Sequence, residues 1–268
     1  MASSSDAAVR GFVPPQNEAE RFLMHRVQEL CALAQRRGIP RCTGFLSDRE
    51  QALATAAIHR EDCTYARFWG GWPHAERKVL CLEPPDTWPL EPVAALRLTA
   101  QNAQPSDAPG HRDYLGAILG LGLDRACLGD ILPDPQDPCV MYAFVLEDKL
   151  EFLVQELHQA GSWSVRAQAC EQLPAHVMEE PERELHDTTV SSLRADAVLA
   201  AMMHTSRSIA AQAISGGKVE INHLPLKSVS EPVYAKDLFT VRGAGRWRVQ
   251  EVGGTSRKGR LFITYFQY

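Results

Sequence analysis

With 268 residues, 45% of them hydrophobic and 23% charged, the chain is long enough for two or three small domains and too apolar to be disordered. No apolar run reaches the ~18–20 residues of a membrane span, and the opening MASSSDAAVRGFVPP lacks the apolar centre of a secretory signal. The net charge of −5 is split: residues 1–189 carry 17 Lys and Arg against 28 Asp and Glu, and residues 190–268 carry 11 against 5. A basic module on an acidic body is the electrostatic footprint of a polyanion ligand. The seven cysteines are odd in number and form no C-x-x-C pair, so the spacing speaks against a zinc site and a disulfide framework. Reduced thiols, no membrane partner and a cytoplasmic location are the expectation.

Residues 1–15 read as a disordered tail. A first domain, 16–83, opens with a helix from Gln16 to Arg37, in which Phe22, Met24 or His25, Val27, Leu30, Leu33 and Ala34 repeat at helical steps. Gly38-Ile39-Pro40 stops it. Ser47 caps a second helix over Asp48–His59, and two strands follow, Tyr65–Trp69 and Lys78–Leu82, joined through Gly70-Gly71-Trp72. Four prolines between Pro84 and Pro92 suggest a boundary.

The second domain, 84–173, has strands at Val93–Leu98, Leu128–Leu132, Val140–Leu146 and Ser162–Ala169. Helices lie between them at Gly110–Leu121 and Lys149–Ala160. Strand–helix–strand–strand–helix–strand is the order of a split βαβ sandwich, the ferredoxin-like or RRM-like architecture. The fold class is therefore α+β and multi-domain. Residues 174–189, acidic and bearing Pro181, read as a linker.

The last domain, 190–268, begins with a helix whose Ala195, Val198, Leu199, Met202 and Met203 share one face, leaving Arg194 and Asp196 open to solvent or ligand. Thr205 or Ser206 caps a second helix with a stripe of Ile209, Ala210, Ala213 and Ile214, ended by Gly216-Gly217. Val219 and Ile221 alternate with polar residues as a half-buried strand, and Asn222-His223 turns it. Further strands lie at Leu238–Val241, around Trp247 and Val249, and at Leu261–Phe266, with turns at Gly243-Ala244-Gly245 and Gly253-Gly254.

The order of these elements, with Arg194-x-Asp196, Ser206-Arg207, Ala210, Ile214, Gly217-x-Val219 and Asn222, resembles the S4-type RNA-binding domain. His223 stands where that family commonly has glycine. The resemblance implies that the first two helices and the adjoining strand face structured RNA. An A-form duplex hides its base edges, so such a patch reads phosphates and 2′-hydroxyls by shape. The candidate RNA-binding residues are Arg194, Asp196, Ser206, Arg207, Gln212, Lys218, Asn222, Lys227, Arg242, Arg246, Arg257, Lys258 and Arg260. Arg248 is a further phosphate partner, and the 257–260 run extends the patch. All these cations are expected on one rigid plate.

Thr43-Gly44-Phe45-Leu46, Gly70-Gly71, Ala75-Glu76-Arg77-Lys78, the stretch HRDYLGAILGLGLDRACLGDI and the tail VRGAGRWRVQEVGGTSRKGRL are together similar to the bacterial YlmH-type S4-domain proteins. That resemblance implies a non-enzymatic RNA-binding protein acting on the large ribosomal subunit, with large-subunit rRNA and tRNA as partners, in rescue of stalled ribosomes. A monomer is expected, with no cofactor. Arg77 and Lys78 offer an RNA contact away from the tail.

Catalytic motifs are weak. Gly120-x-Gly122 lacks its third glycine and follows a helix rather than a strand. His111-Arg112-Asp113 spells the kinase tripeptide without the other kinase motifs. No catalytic residue and no metal ligand is assigned. The rival reading is an RNA-modifying enzyme of the pseudouridine-synthase kind, in which the S4-type module only delivers substrate RNA.

Overall fold

The computed structural model describes residues 10–180 and 182–268. They form two compact units, residues 14–180 and residues 182–268 with the described N-terminal segment 10–13. The expected tail at 1–15 lies outside the described residues up to position 9; from Arg10 onward the chain is placed.

In the first unit, α1 (Glu18–Arg37) packs on α2 (Asp48–Arg60). Asn17 caps α1 by accepting from the Glu20 N–H, and Gly38 ends it at φ 62°, a left-handed conformation that suits glycine. Ser47 and Glu50 form a reciprocal capping box at α2. Met24, Val27, Leu30, Cys31 and Ala34 of α1 meet Leu53, Ala54, Ala57 and Ile58 of α2. Phe22 does not belong to that stripe; it is exposed. Beneath the helices lies a three-stranded sheet, β1 (Arg41–Leu46), β3 (Lys78–Leu82) and β2 (Ala66–Trp69), in the order β1-β3-β2.

The same unit contains a five-stranded sheet of β4 (Val93–Ala100), β5 (Leu128–Pro133), β6 (Val140–Leu146), β7 (Gln159–Ala160) and β8 (Trp163–Cys170), ordered β5-β6-β4-β8-β7. With α3 (His111–Gly120) and α4 (Leu150–Glu156), and apart from the two-residue β7, this is the split βαβ order. Leu96, Leu98, Met141, Ala143, Val145, Val165 and Ala167 face the helices.

The other face of this sheet is covered over β6, while on β8 the outward Ser164, Arg166 and Gln168 are exposed. Phe144 stacks on Trp72 with centroids 6.4 Å apart and shares a core with Val79 and Cys81. Gly71, at φ 95°, passes so close that a Cβ there would lie 2.3 Å from the Phe144 ring. Val140 and Tyr142 are sealed by Val177 of α5 (Ala175–Met178). Asp130 clamps this layer, accepting from Trp72 Nε1 at 3.0 Å and from the Glu76 and Arg77 N–H groups at 2.8 and 3.1 Å. The Arg77 guanidinium donates to the carbonyls of Phe45, Leu128 and Arg125. Arg77 therefore joins the two sheets and is not the surface RNA contact the sequence suggested. A planar five-donor fork is what bridging three carbonyls requires.

The second unit is built on a six-stranded antiparallel sheet: β9 (His186–Val190), β10 (Val219–Ile221), β11 (Leu224–Pro225), β12 (Leu238–Val241), β13 (Gly245–Thr255) and β14 (Leu261–Gln267), ordered β11-β10-β12-β13-β14-β9. One face packs against α6 (Ala195–Met202) and α7 (Arg207–Ser215) through Val198, Leu199, Ala210, Ile214, Phe239, Trp247, Val249 and Tyr265.

Two expectations change here. Residues 186–189, read as linker, form with Val190 an edge strand paired with β14 from Val190↔Leu261 to His186↔Tyr265. Gly253-Gly254 is not a turn; β13 runs through it to Thr255, and the chain reverses at Ser256–Gly259. The pairing continues to Thr255↔Leu261 across an irregular register, so the glycines are absorbed as a strand irregularity.

Candidate nucleic-acid interface

Arg194 and Arg207 stand at the N-terminal ends of α6 and α7, and Asp196 joins them. Its carboxylate accepts from Arg194 Nε at 3.1 Å and from Arg207 Nη2 at 2.8 Å. The Asp196 side chain is 8% exposed, whereas those of Arg194 and Arg207 are 42% and 51% exposed. Burial works to raise the Asp196 pKa, but the bonds and charges of the two arginines outweigh it and hold the carboxyl below its usual value. The result is two half-exposed guanidiniums fixed by one buried anion. Arg194 occupies the N-cap position of α6, and Ser206 caps α7 by accepting from the Ile209 N–H.

Asp196 is thus corrected from a solvent-facing ligand contact to a buried positioning group. The turn that carries Val229 and Glu231 lies against the start of α6, accepting from the Asp196 and Ala195 N–H groups. Ala195 through Ala200 and Met202 are all buried. The signal was present: ADAVLAAM is apolar almost all round, as a helix covered on every side must be.

A second group lies at the other end of α7. Lys218 follows Gly216-Gly217, and the Arg242 N–H donates to the Lys218 carbonyl at 2.9 Å. The β10–β11 register, Ile221↔Leu224 and Glu220↔Pro225, continues through the Leu226 N–H to Val219 carbonyl bond. Lys227, Lys218 and Arg242 therefore fall in one cross-strand row at the end of three neighbouring strands, all exposed. Like charges side by side on adjacent strands destabilise a sheet unless something anionic offsets them. The exposed Gln212 lies on α7 between this row and Arg207.

The other candidates lie elsewhere. Trp247 and Val249 point into the core, so Arg246 and Arg248 lie on the sheet face away from the helices. There Arg246 lies 4.4 Å from the Tyr268 ring centroid, and Arg248 donates to the Tyr268 hydroxyl at 2.8 Å. Arg183, which the sequence placed in a linker, stacks over Tyr268 at 4.4 Å and Phe266 at 4.6 Å. Arg257 and Lys258 are exposed in the reversal after β13, at the opposite end of that eleven-residue strand from Arg242. At ~3.3 Å per residue the two ends are separated by roughly 30 Å. Arg260 donates to the hydroxyl and carbonyl of Thr189 and fastens β9. The cations do not form a single plate.

Asn222 is also occupied. Its amide donates to Asp237 Oδ1 at 2.7 Å and accepts from the Leu238 N–H at 2.8 Å. Asn222 and His223 both take positive φ, 50° and 63°, as a two-residue hairpin turn requires. The turn forms with His223 in the left-handed position that glycine fills most easily. Asp237, 1% exposed, also receives both Nε and Nη2 of Arg10 at 3.0 Å. Arg10 reaches Glu231 at 2.9 Å and the Pro232 carbonyl at 2.7 Å as well. Burial works to lower the Arg10 pKa, but the bonds and charges of Asp237 and Glu231 outweigh it and raise it. Asn222 and Arg10 are structural keystones of this unit.

A sheet backed by two short helices, with paired arginines at the helix starts, defines an S4-type RNA-binding module. The S4 domain model matches residues 193–238, and the model for the RNA-binding domain in YlmH matches residues 108–173. The ribosome-associated protein quality control protein P2 of Bacillus subtilis (strain 168) is 31% identical over 251 residues, covering 92% of this chain and 94% of the relative. The cell division protein YlmH from Streptococcus pneumoniae superposes with a TM-score of 0.49 at 17% identity, over 60% of this chain and 96% of that one. The chain belongs to the YlmH family of S4-domain RNA-binding proteins.

Proposed function

We propose that the second unit grips folded RNA of the large ribosomal subunit, rRNA together with tRNA, and that the protein acts without catalysis in the rescue of stalled ribosomes. The observation that carries this reading is the Arg194–Asp196–Arg207 clasp. It holds two guanidinium forks at fixed spacing with half of each exposed, a geometry suited to phosphates of a rigid A-form backbone. Lys218, Lys227 and Arg242 extend the grip at the far end of α7, with Gln212 between. The relative from Bacillus subtilis, named for ribosome-associated quality control, supports the ribosomal setting.

In this reading Arg246, Arg257, Lys258 and Arg260 are peripheral. Ser206 and Asn222 act through the cap and turn they hold. The protein works as a cytoplasmic monomer; among the described residues, no helix is long and apolar enough to cross a membrane. Crosslinking in cells, followed by sequencing of the attached RNA, tests the proposal. Large-subunit rRNA plus tRNA is the expected result. A single hairpin carrying one modified nucleotide would overturn it in favour of an RNA-modifying accessory.

A further inference from the structure

Trp88 is 91% exposed, the most exposed of the large hydrophobic side chains in the described structure. It lies in the segment Pro84-Pro85-Asp86-Thr87-Trp88-Pro89-Leu90, where the prolines marked a domain boundary. The segment is firmly held. Glu83 accepts from the Leu90 N–H at 2.8 Å and from Arg67 Nη2 at 2.7 Å. Arg67 in turn donates to the Leu90 carbonyl at 2.9 Å, and the Thr87 hydroxyl donates to the Pro84 carbonyl at 2.7 Å. The Arg67–Glu83 pair thus clamps both ends of the loop. Pro85 and Pro89 limit the backbone between, and Asp86 takes φ 63°. The indole is presented to solvent on a preorganised support, so ordering it costs a partner little.

The charge around it selects the partner. Asp86 and Glu91 are exposed on either side of Trp88. Residues 14–180 carry 15 Lys and Arg against 24 Asp and Glu. Carboxylates beside the ring repel a phosphate backbone and attract lysine and arginine side chains. On the RRM-like sheet, the outward face of β6 that could stack bases is already filled by Trp72 and α5. A rigid, exposed tryptophan is the kind of aromatic anchor that dominates protein–protein hot spots, and the two flanking carboxylates, Asp86 and Glu91, set the charge it favours in a partner.

We propose that the Trp88 loop docks a lysine- and arginine-rich protein surface exposed on the large ribosomal subunit, while the second unit holds RNA of the same subunit. This rests on the ribosomal reading above. The test uses the full chain with the photoreactive residue p-benzoylphenylalanine in place of Trp88, mixed with purified large subunits and irradiated. Co-sedimentation and the nature of the crosslinked partner are both read. A crosslink to a basic ribosomal protein supports the proposal. A crosslink to rRNA, or co-sedimentation with no crosslink, overturns it while leaving the ribosomal reading intact. Failure of the wild-type chain to co-sediment removes both. Trp88→Ala is expected to weaken subunit binding about tenfold or more and to leave affinity for free tRNA unchanged. An equal loss on tRNA would overturn the proposal, because the ring would then be reading nucleotide.

Discussion

A carboxylate inside a proposed polyanion site is counterintuitive, and Asp196 shows why it belongs there. Two guanidiniums repel one another, and their long side chains lose rotamer freedom when held still. A buried anion between them offsets both costs and sets their spacing. Asp196→Asn should therefore weaken RNA binding although it removes a negative charge. It should also lower stability at neutral pH by about 1–2 kcal/mol, a charge-assisted pair of bonds being replaced by weaker ones. The pH dependence has a fixed sign. The folded carboxyl titrates below its ordinary ~3.9, so its contribution is complete above that value and is lost as pH falls through the folded pKa. Thermal melts of wild type and Asp196→Asn between pH 6 and the acid limit should converge at the acid end. Tighter RNA binding by the variant would mean that Asp196 simply repels the ligand.

Elements were legible where periodicity was strong and local. α1 ends where Gly38 takes a left-handed φ, and α2 starts at its Ser47 cap, as their sequences indicate. The split βαβ order also emerges from alternating strand and helix patterns. Edge elements were not legible. β9 reads HDTTV, whose polar surroundings and neighbouring Pro181 suggest a linker; it is a strand only because β14 offers an edge. The continuity of β13 through Gly253-Gly254 depends likewise on cross-strand pairing. Arg10 is the extreme case. No local pattern ties it to Asp237, 227 positions away. Arg10→Ala should destabilise the second unit by about 2–3 kcal/mol, at or below the range for breaking a buried pair, because Asn222 and the Tyr234 N–H still satisfy Asp237. Chemical denaturation measures this, and an unchanged midpoint would mean that Arg10 is a passive surface contact.

For the molecule as a whole, charge is divided between the two units. The acidic unit, with the outward face of β6 covered and Trp88 exposed, is suited to protein contact; the basic unit carries the guanidinium clasp and the cationic row. The candidate site was partly legible. The resemblance of the quoted residues to the S4-type domain singled out the module and its arginines, but a one-dimensional list could not assign them to faces. Alternation along β13 sends Arg246 and Arg248 away from the helices, and the length of that strand carries Arg257 and Lys258 to the far end. A substitution series then separates contact from proximity. Lys218→Ala combined with Arg242→Ala should reduce RNA affinity with little effect on melting, since both side chains are exposed.

The direct measurement is the salt dependence of full-chain affinity for a tRNA or a large-subunit rRNA fragment. Three proteins are compared: wild type, the Arg194→Ala/Arg207→Ala pair, and the Arg257→Ala/Lys258→Ala pair. Removing one cation–phosphate pairing flattens the log–log slope by roughly 0.7–0.9, so the first pair should flatten it by about twice that and the second pair should leave it unchanged. If instead the slope is untouched in the folded Arg194→Ala/Arg207→Ala protein and falls for the other pair, the RNA lies along the far turn, and the helix-end clasp is not its grip.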